Sequence, residues 1–473
     1  MDRDQLARER IEIAEAALEG AAAHEQTGTG LLRGIPGPDV RHEGDAKHAP
    51  GDGDGDQQED DRPDGEPFAP RKRHHYHGPM LADARRAVMS LACLVLFAAG
   101  AHAEAPAATA LRPLPPQAAD VPWPTAAWPV GPLPTGVDRE KLEAALAVVA
   151  RPQPRLGETR AVVIIQRGTL VTERYMPGYG PDTPMLSWSM AKSITQAMVG
   201  IAVRRGLVDI DKPMGNPRWT AGDARAQIPW RAWINMIDGQ DYHEIGVRDQ
   251  TRSDAAKMLF GPGRLDVAGY SASLPLIHPP QTHWNYNSAG VNLIADALGR
   301  VFAPGATAAD RRSRMSAVMK DELFAPLGMT SAQPEFDAAG TFVGSAFVYA
   351  TARDWARFGL LYLRDGMWQD KRILPEHWVD FARTRTPVED CDIYGAGFWI
   401  TPPAGRGKPQ KALAPDGPRD LFLAQGHEGQ LVVIVPSKDL VLVRLGHLAD
   451  LSGWEPLGEW VARVVQLFPD VGA

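Results

Sequence analysis

Apolar residues are sparse over the first 79 positions and dense and periodic from about residue 136 onward. At the head of the dense region, Asp138 to Val149 has helical spacing. Ala161 to Ile165 and Leu170 to Tyr175 are β-rich runs on either side of Arg167-Gly168, the make-up of a tight hairpin. The pattern returns near the C-terminus. Gln430 to Val435 and Leu440 to Leu445 flank the turn Pro436-Ser437-Lys438-Asp439, and an amphipathic helix follows from Trp454 to Phe468. Between the hairpins the periodicity is mostly helical. Strands at both ends with helices between predict an α/β fold, an antiparallel β-sheet flanked by helices and interrupted by a large, mostly helical inserted subdomain.

Upstream of this domain, expected to span 136–473, the chain changes character three times. Residues 1–79 carry one polar helical stretch, Leu6 to Ala23, then Gly, Asp, His and Pro clusters and the run Arg71 to His77. So little apolar surface cannot offset the entropy of ordering the segment, so a disordered extension is expected, with the His cluster read as solvated rather than metal-binding. Residues 80–103 read as a signal peptide: Arg85 and Arg86, the apolar run Val88 to Ala99, and Ala101-His102-Ala103 as a cleavage site. Its distance from the N-terminus is read as a translation start at Met80 or Met89. Residues 104–135 are rich in Pro and Ala, the composition of an extended linker or wrapping segment. A periplasmic or secreted location is expected, with no permanent membrane span.

Composition narrows the function. Hydrophobic residues at 44% and charged residues at 23% describe an ordinary globular protein. A net charge of -8 offers no general attraction to nucleic acid or anionic membranes. The expected partner is a small molecule or short peptide. The two cysteines, Cys93 and Cys391, are too few for a multi-thiolate zinc site, and a mature chain would keep only Cys391. His427-Glu428 and His243-Glu244 fail the H-E-x-x-H test, because Leu431 and Val247 stand where the second His would be. No G-x-S-x-G occurs.

Three pieces carry chemistry. Ser189-Met190-Ala191-Lys192 is the only S-x-x-K in the chain. Ile194, Ala197, Met198, Ile201 and Ala202 follow as the buried stripe of a helix that stops at Gly206, so Lys192 lies one turn beyond Ser189 on the same side. A serine hydroxyl needs a base to become a nucleophile. A lysine amine serves once burial lowers its pKa. The bland alternative is an N-capping serine and a solvated lysine. Tyr286-Asn287-Ser288 ends an aromatic stretch and opens a second helix, where a phenol beside a lysine can shuttle a proton. The alternative is a half-buried core tyrosine. Gly426-His427-Glu428-Gly429-Gln430 directly precedes the run Leu431 to Val435, and its glycines allow a backbone N–H to approach a bound carbonyl.

In this order, LSWSMAKSITQAMVGIA, WNYNSAGVNLI and QGHEGQLVVIVPSKDLVLVRLGH resemble the serine β-lactamase and penicillin-binding-protein superfamily. They are most similar to its class C-like branch of esterases, D-aminopeptidases and 6-aminohexanoate-dimer hydrolases. FAPLGMTSA, YATARDWARFGLLYLRDGMW and YGAGFWI extend the resemblance across roughly residues 136–470. It implies that Ser189 is acylated by an ester or amide carbonyl, with Lys192 and Tyr286 sharing the roles of general base and acid. It also places the oxyanion between the backbone N–H groups of Ser189 and Gln430, and implies no metal or organic cofactor. Ser288, His427 and Gly429 would border the substrate, and Trp399, Tyr394 and Ser345 are further pocket positions. Asp249, Arg252 and Asp254 lie in the inserted region.

Two departures bear on the substrate. His427 and Glu428 stand where relatives carry the Lys and Thr that receive a β-lactam or peptide carboxylate, and Glu428 is expected to repel an anion. Ser288 replaces an amide that binds the acyl side chain. Both favour an esterase or an amidase for small linear amides. The alternatives are a penicillin-binding D,D-peptidase or β-lactamase, and a catalytically silent binding or sensor protein on the same fold.

Overall fold

The computed structural model describes residues 111–244, 253–402 and 412–471. The readings made for residues 1–110, including the polar extension and the signal peptide, lie outside them, as do Asp249 and Arg252.

The expected hairpins are the frame of the sheet. Strand β1 (Glu158–Gln166) turns into β2 (Thr169–Tyr175) through Arg167 and Gly168, whose φ values of 50° and 77° are those of a two-residue turn twisted to match its strands. Near the C-terminus lie β3 (Trp399–Ile400), β4 (Phe422–Gly426), β5 (Gln430–Val435) and β6 (Leu440–His447). The six form one antiparallel sheet in the order β2-β1-β6-β5-β4-β3, so that strands from the two ends of the sequence meet where β1 pairs with β6.

Both faces of this sheet are covered, which explains its unbroken apolar runs. Leu431, Val433 and Val435 point to one side, packing with Leu142 and Leu146 of helix α1 (Arg139–Leu146) and with Leu457, Trp460 and Val464 of the C-terminal helix Trp454–Gln466. Val432 and Ile434 point to the other. There they meet helix α2 (Ala191–Arg204) and a helix over Ala352–Leu363. Helix α2 carries the stripe Ile194, Ala197, Met198 and Ile201, and Gly206 (φ 67°) follows its end. Helix α3 (Ser288–Phe302) is capped by Asn287, whose side chain accepts from Gly290 N–H.

Residues 111–135 lie against this body. Arg357 Nε donates to Pro124 O at 2.8 Å, Trp368 Nε1 to Thr125 Oγ1 at 2.7 Å, and Trp128 is buried. Packing therefore begins well before Gly136. Among the described residues no helix is long and apolar enough to cross a membrane.

Candidate active site

A cavity of about 190 Å³ opens between α2, the start of α3 and the β4 end of the sheet. Ser189, Tyr286, Ser288, Ser345, Gly426 and His427 line it, with Trp188, Trp399 and Trp454 as aromatic wall and Glu244 as a carboxylate at its edge. Ser189 sits in a single 3-10 turn, Trp188–Met190, leading into α2, so the positive end of the helix faces its oxygen. Trp188 has φ 47°, a strained conformation for a bulky residue. It is braced by the ring of His427 at 5.2 Å and by Phe260 and Phe347.

One turn later Lys192 is buried, and its Nζ reaches three oxygens: Ser189 Oγ at 2.9 Å, Ser288 Oγ at 2.8 Å and the Ser345 carbonyl at 2.8 Å. The ring of Tyr286 lies 4.9 Å from the same nitrogen. Burial pushes the Lys192 amine down to about 8, with Glu244 opposing part of the shift. Burial raises the Tyr286 phenol, and Glu244 raises it further. Lysine is thus prepared to lose a proton near neutrality and tyrosine to keep one.

The third motif is arranged differently from its sequence expectation. Gly426, at the end of β4, is the residue pressed against the serine: a Cβ there would lie 2.2 Å from Ser187 O and 3.2 Å from Ser189 N. The chain then turns sharply through Glu428, φ 61°, before β5 begins. Gly426 and His427 face the cavity, whereas Gly429 and Gln430 do not line it. Gly429 packs toward Arg444, Leu448 and Leu457. Gln430 is buried, its Oε1 accepting from Gly446 N–H at 2.9 Å and its Nε2 donating to His427 O at 3.2 Å. Arg444 fixes the turn by donating to the carbonyls of Glu428 and Gly429, both at 2.9 Å.

Glu428 is likewise turned away. Its Oε2 meets His447 Nδ1 at 3.1 Å and Trp188 Nε1 at 3.4 Å. Burial works to raise its pKa, but the hydrogen bond and charge of His447 prevail and hold it low. Among the described residues the carboxylate at the cavity is therefore Glu244, which the sequence reading singled out only to reject a zinc motif. Its Oε2 accepts from Ser288 Oγ at 2.7 Å. No short motif marks it, and only its fixed place beside Tyr242 and His243 brings it to the site. Asp254 does not line the cavity but supports that place: its carboxylate accepts from His243 N–H at 2.9 Å, and its own N–H returns to His243 O. Burial lowers the pKa of His427, with Glu428 and Glu244 opposing part of the shift. Tyr394 lies behind the site, edge-on to Tyr286 and Trp399. Among the described residues no group of three His, Cys, Asp or Glu side chains is placed to hold a metal ion.

A family model described as Beta-lactamase matches residues 157–453. Comparison with curated proteins finds no match. Among solved structures, a putative 6-aminohexanoate-dimer hydrolase from Bacillus anthracis is similar with a TM-score of 0.56 at 20% identity, over 73% of this chain and 89% of that one. A putative beta-lactamase from Bacteroides dorei is similar with a TM-score of 0.52 at 18% identity, over 70% and 99%. At these identities the likeness to the two structures is one of fold.

Proposed function

The chain belongs to the Beta-lactamase family, at family level one of serine hydrolases, and from that premise we propose that it cleaves an ester or small linear amide through an acyl-enzyme on Ser189. The observation that carries this reading is the contact of a buried Lys192 amine with Ser189 Oγ at 2.9 Å inside an open cavity. In the proposed reaction neutral Lys192 takes the proton of Ser189 as its oxygen attacks the carbonyl. The C–O or C–N bond to the leaving group then breaks. Tyr286, whose phenol stays protonated, hydrogen-bonds the reacting oxygen and passes a proton to the leaving group, recovering one from Lys192. Water cleaves the acyl-enzyme by the reverse sequence. The close approach of Gly426 to Ser189 N supports the N–H groups of Ser189 and His427 as the oxyanion donors, in place of Gln430.

The surroundings favour neutral or cationic substrates over anionic ones. Among the described residues no lysine or arginine lines the cavity, Glu244 brings negative charge, and burial lowers the pKa of His427. A β-lactam or peptide carboxylate would find no cation among these residues to receive it. Short-chain aryl esters should accordingly turn over at least about 100-fold faster than a chromogenic cephalosporin, compared as kcat/KM. The reverse order would favour a β-lactamase or D,D-peptidase.

The deciding test is incubation of the protein with a fluorophosphonate, followed by intact mass and peptide mapping. One adduct, on the peptide carrying Ser189, is expected. A well-folded protein that takes no adduct would instead be a silent binding protein on this fold.

A further inference from the structure

Hydrogen-bond polarity around Lys192 is fixed by its neighbours, and it depends on a residue that does not touch the nucleophile. The Ser345 carbonyl can only accept, so one hydrogen of Lys192 Nζ is committed to it at 2.8 Å. Ser288 Oγ could in isolation donate or accept. Its single hydrogen, however, goes to the carboxylate of Glu244 at 2.7 Å, because an ionised carboxylate only accepts. Ser288 therefore turns a lone pair toward Lys192, and a second hydrogen of Nζ is committed at 2.8 Å. One position on the nitrogen is left, and it faces Ser189 Oγ at 2.9 Å. When the amine is neutral, that position is its lone pair.

We propose that Glu244 is a positioning residue which, through Ser288, directs the lone pair of neutral Lys192 onto the hydroxyl of Ser189. Without an acceptor at 244, the Ser288 hydroxyl is free to turn and donate to the lone pair, competing with Ser189 for the base. The proposal rests on the serine-hydrolase reading and adds a residue to it.

The same carboxylate also acts by its charge. An anion near Lys192 favours the ammonium, which has no lone pair, so Glu244 orients the base while holding it partly protonated. Among the described residues, the other groups facing this cluster are the hydroxyls of Tyr286 and Tyr242, the phenol of Tyr394 behind them, and His427 across the cavity. Burial raises the three phenols and lowers His427. Glu428 is engaged by His447.

Orientation and charge separate in two variants. Glu244→Gln can keep a carbonyl oxygen toward Ser288 while losing the charge. Glu244→Leu loses both. The readout is the fluorophosphonate labelling rate of the full chain against pH, with thermal melts to verify folding. In the wild type the rate should climb through about pH 8 as Lys192 loses its proton, then level off. Glu244→Gln should reach a plateau within a few-fold of the wild type, with the rise moved to lower pH by about one unit, the scale of losing one nearby charge. Glu244→Leu should lower the plateau by about 10-fold or more, a part of the roughly 100-fold or larger contribution of a positioned base. In a Ser288→Ala background the Leu substitution should lower it no further.

Equal losses in Gln and Leu with no displacement of the rise would reduce Glu244 to a structural residue and overturn the proposal. So would two variants that behave as wild type. A wild type that is never labelled would remove the hydrolase reading itself, and this proposal with it. If the Leu variant does not fold, Glu244→Ala, which also removes the acceptor, takes its place with the same expected loss of plateau, and a wild-type plateau there would overturn the proposal.

Discussion

Replacing Ser189 with alanine is expected to abolish fluorophosphonate labelling and lower aryl-ester kcat/KM by roughly 10⁶-fold, and Lys192→Met should cost nearly as much. The two residues act as one unit: an unactivated serine is nearly as idle as an absent one. The double variant should therefore be no slower than Ser189→Ala alone. Methionine suits the test because it fills the apolar slot of the lysine stem without its amine. Burial already penalises the ammonium, so removing the charge does not by itself endanger the fold. What is lost is the partner of the Ser345 carbonyl and of Ser288 Oγ, worth about 1–3 kcal/mol for each buried group left unpaired. Initial rates with p-nitrophenyl acetate, read beside thermal melts, check both halves. A folded Lys192→Met protein that keeps more than about a hundredth of wild-type kcat/KM, the smallest usual loss for a general base, would remove Lys192 from that role and point to Tyr286.

The parts of the site that could be read from the sequence are those whose geometry is local. Ser189 and Lys192 are one helical turn apart, so their spacing alone implied that they share a face, and Tyr286 and Ser288 sit in one tripeptide at a legible helix start. The hairpins were legible for the same reason: turn residues and β-rich runs lie next to one another. The structure places β1 and β2, and β5 and β6, close to the expected bounds. Strand β4 was not called, because Phe422 to Gly426 is a short apolar run with both faces buried and no alternation to mark it. That omission shifted the third motif. With Gly426 to Gln430 taken as one approach to β5, Gln430 became the oxyanion donor. The turn through Glu428 in the left-handed region instead separates Gly426 and His427, at the cavity, from Gly429 and Gln430, behind it. A glutamate in that conformation is uncommon, and nothing local announces it. Glu244 escaped for a different reason. Its contact with Ser288 spans 44 positions, and a lone glutamate in a loop has no spacing from which to infer a partner.

The reassigned donor leads to a substitution that discriminates between two glycines three residues apart. In Gly426→Ala the new Cβ would stand 2.2 Å from Ser187 O, and neither side can yield easily. Ser187 is held by its N–H to Val348 O at 2.9 Å and by Val348 N–H to its own Oγ at 3.1 Å, while Gly426 is paired across to Gln430 in the sheet. The end of β4 must move away from Ser189, and the His427 N–H moves with it. A displacement of ~1 Å at a reacting centre costs about 100-fold in rate. Overpacking of this kind adds about 1–3 kcal/mol of lost stability. Gly429→Ala is strained too: φ is 83°, and its Cβ would lie 2.5 Å from Arg444 Nη1. It faces away from the cavity, so its penalty should fall on stability, with kcat reduced less than about 10-fold in the fraction that folds. Melting temperature and single-turnover acylation of each variant separate the two effects. Acylation at the wild-type rate in Gly426→Ala, with its loss in Gly429→Ala, would return the oxyanion to Gln430. The opposite pattern would fix it between Ser189 and His427, where the backbone of β4 comes closest to the nucleophile.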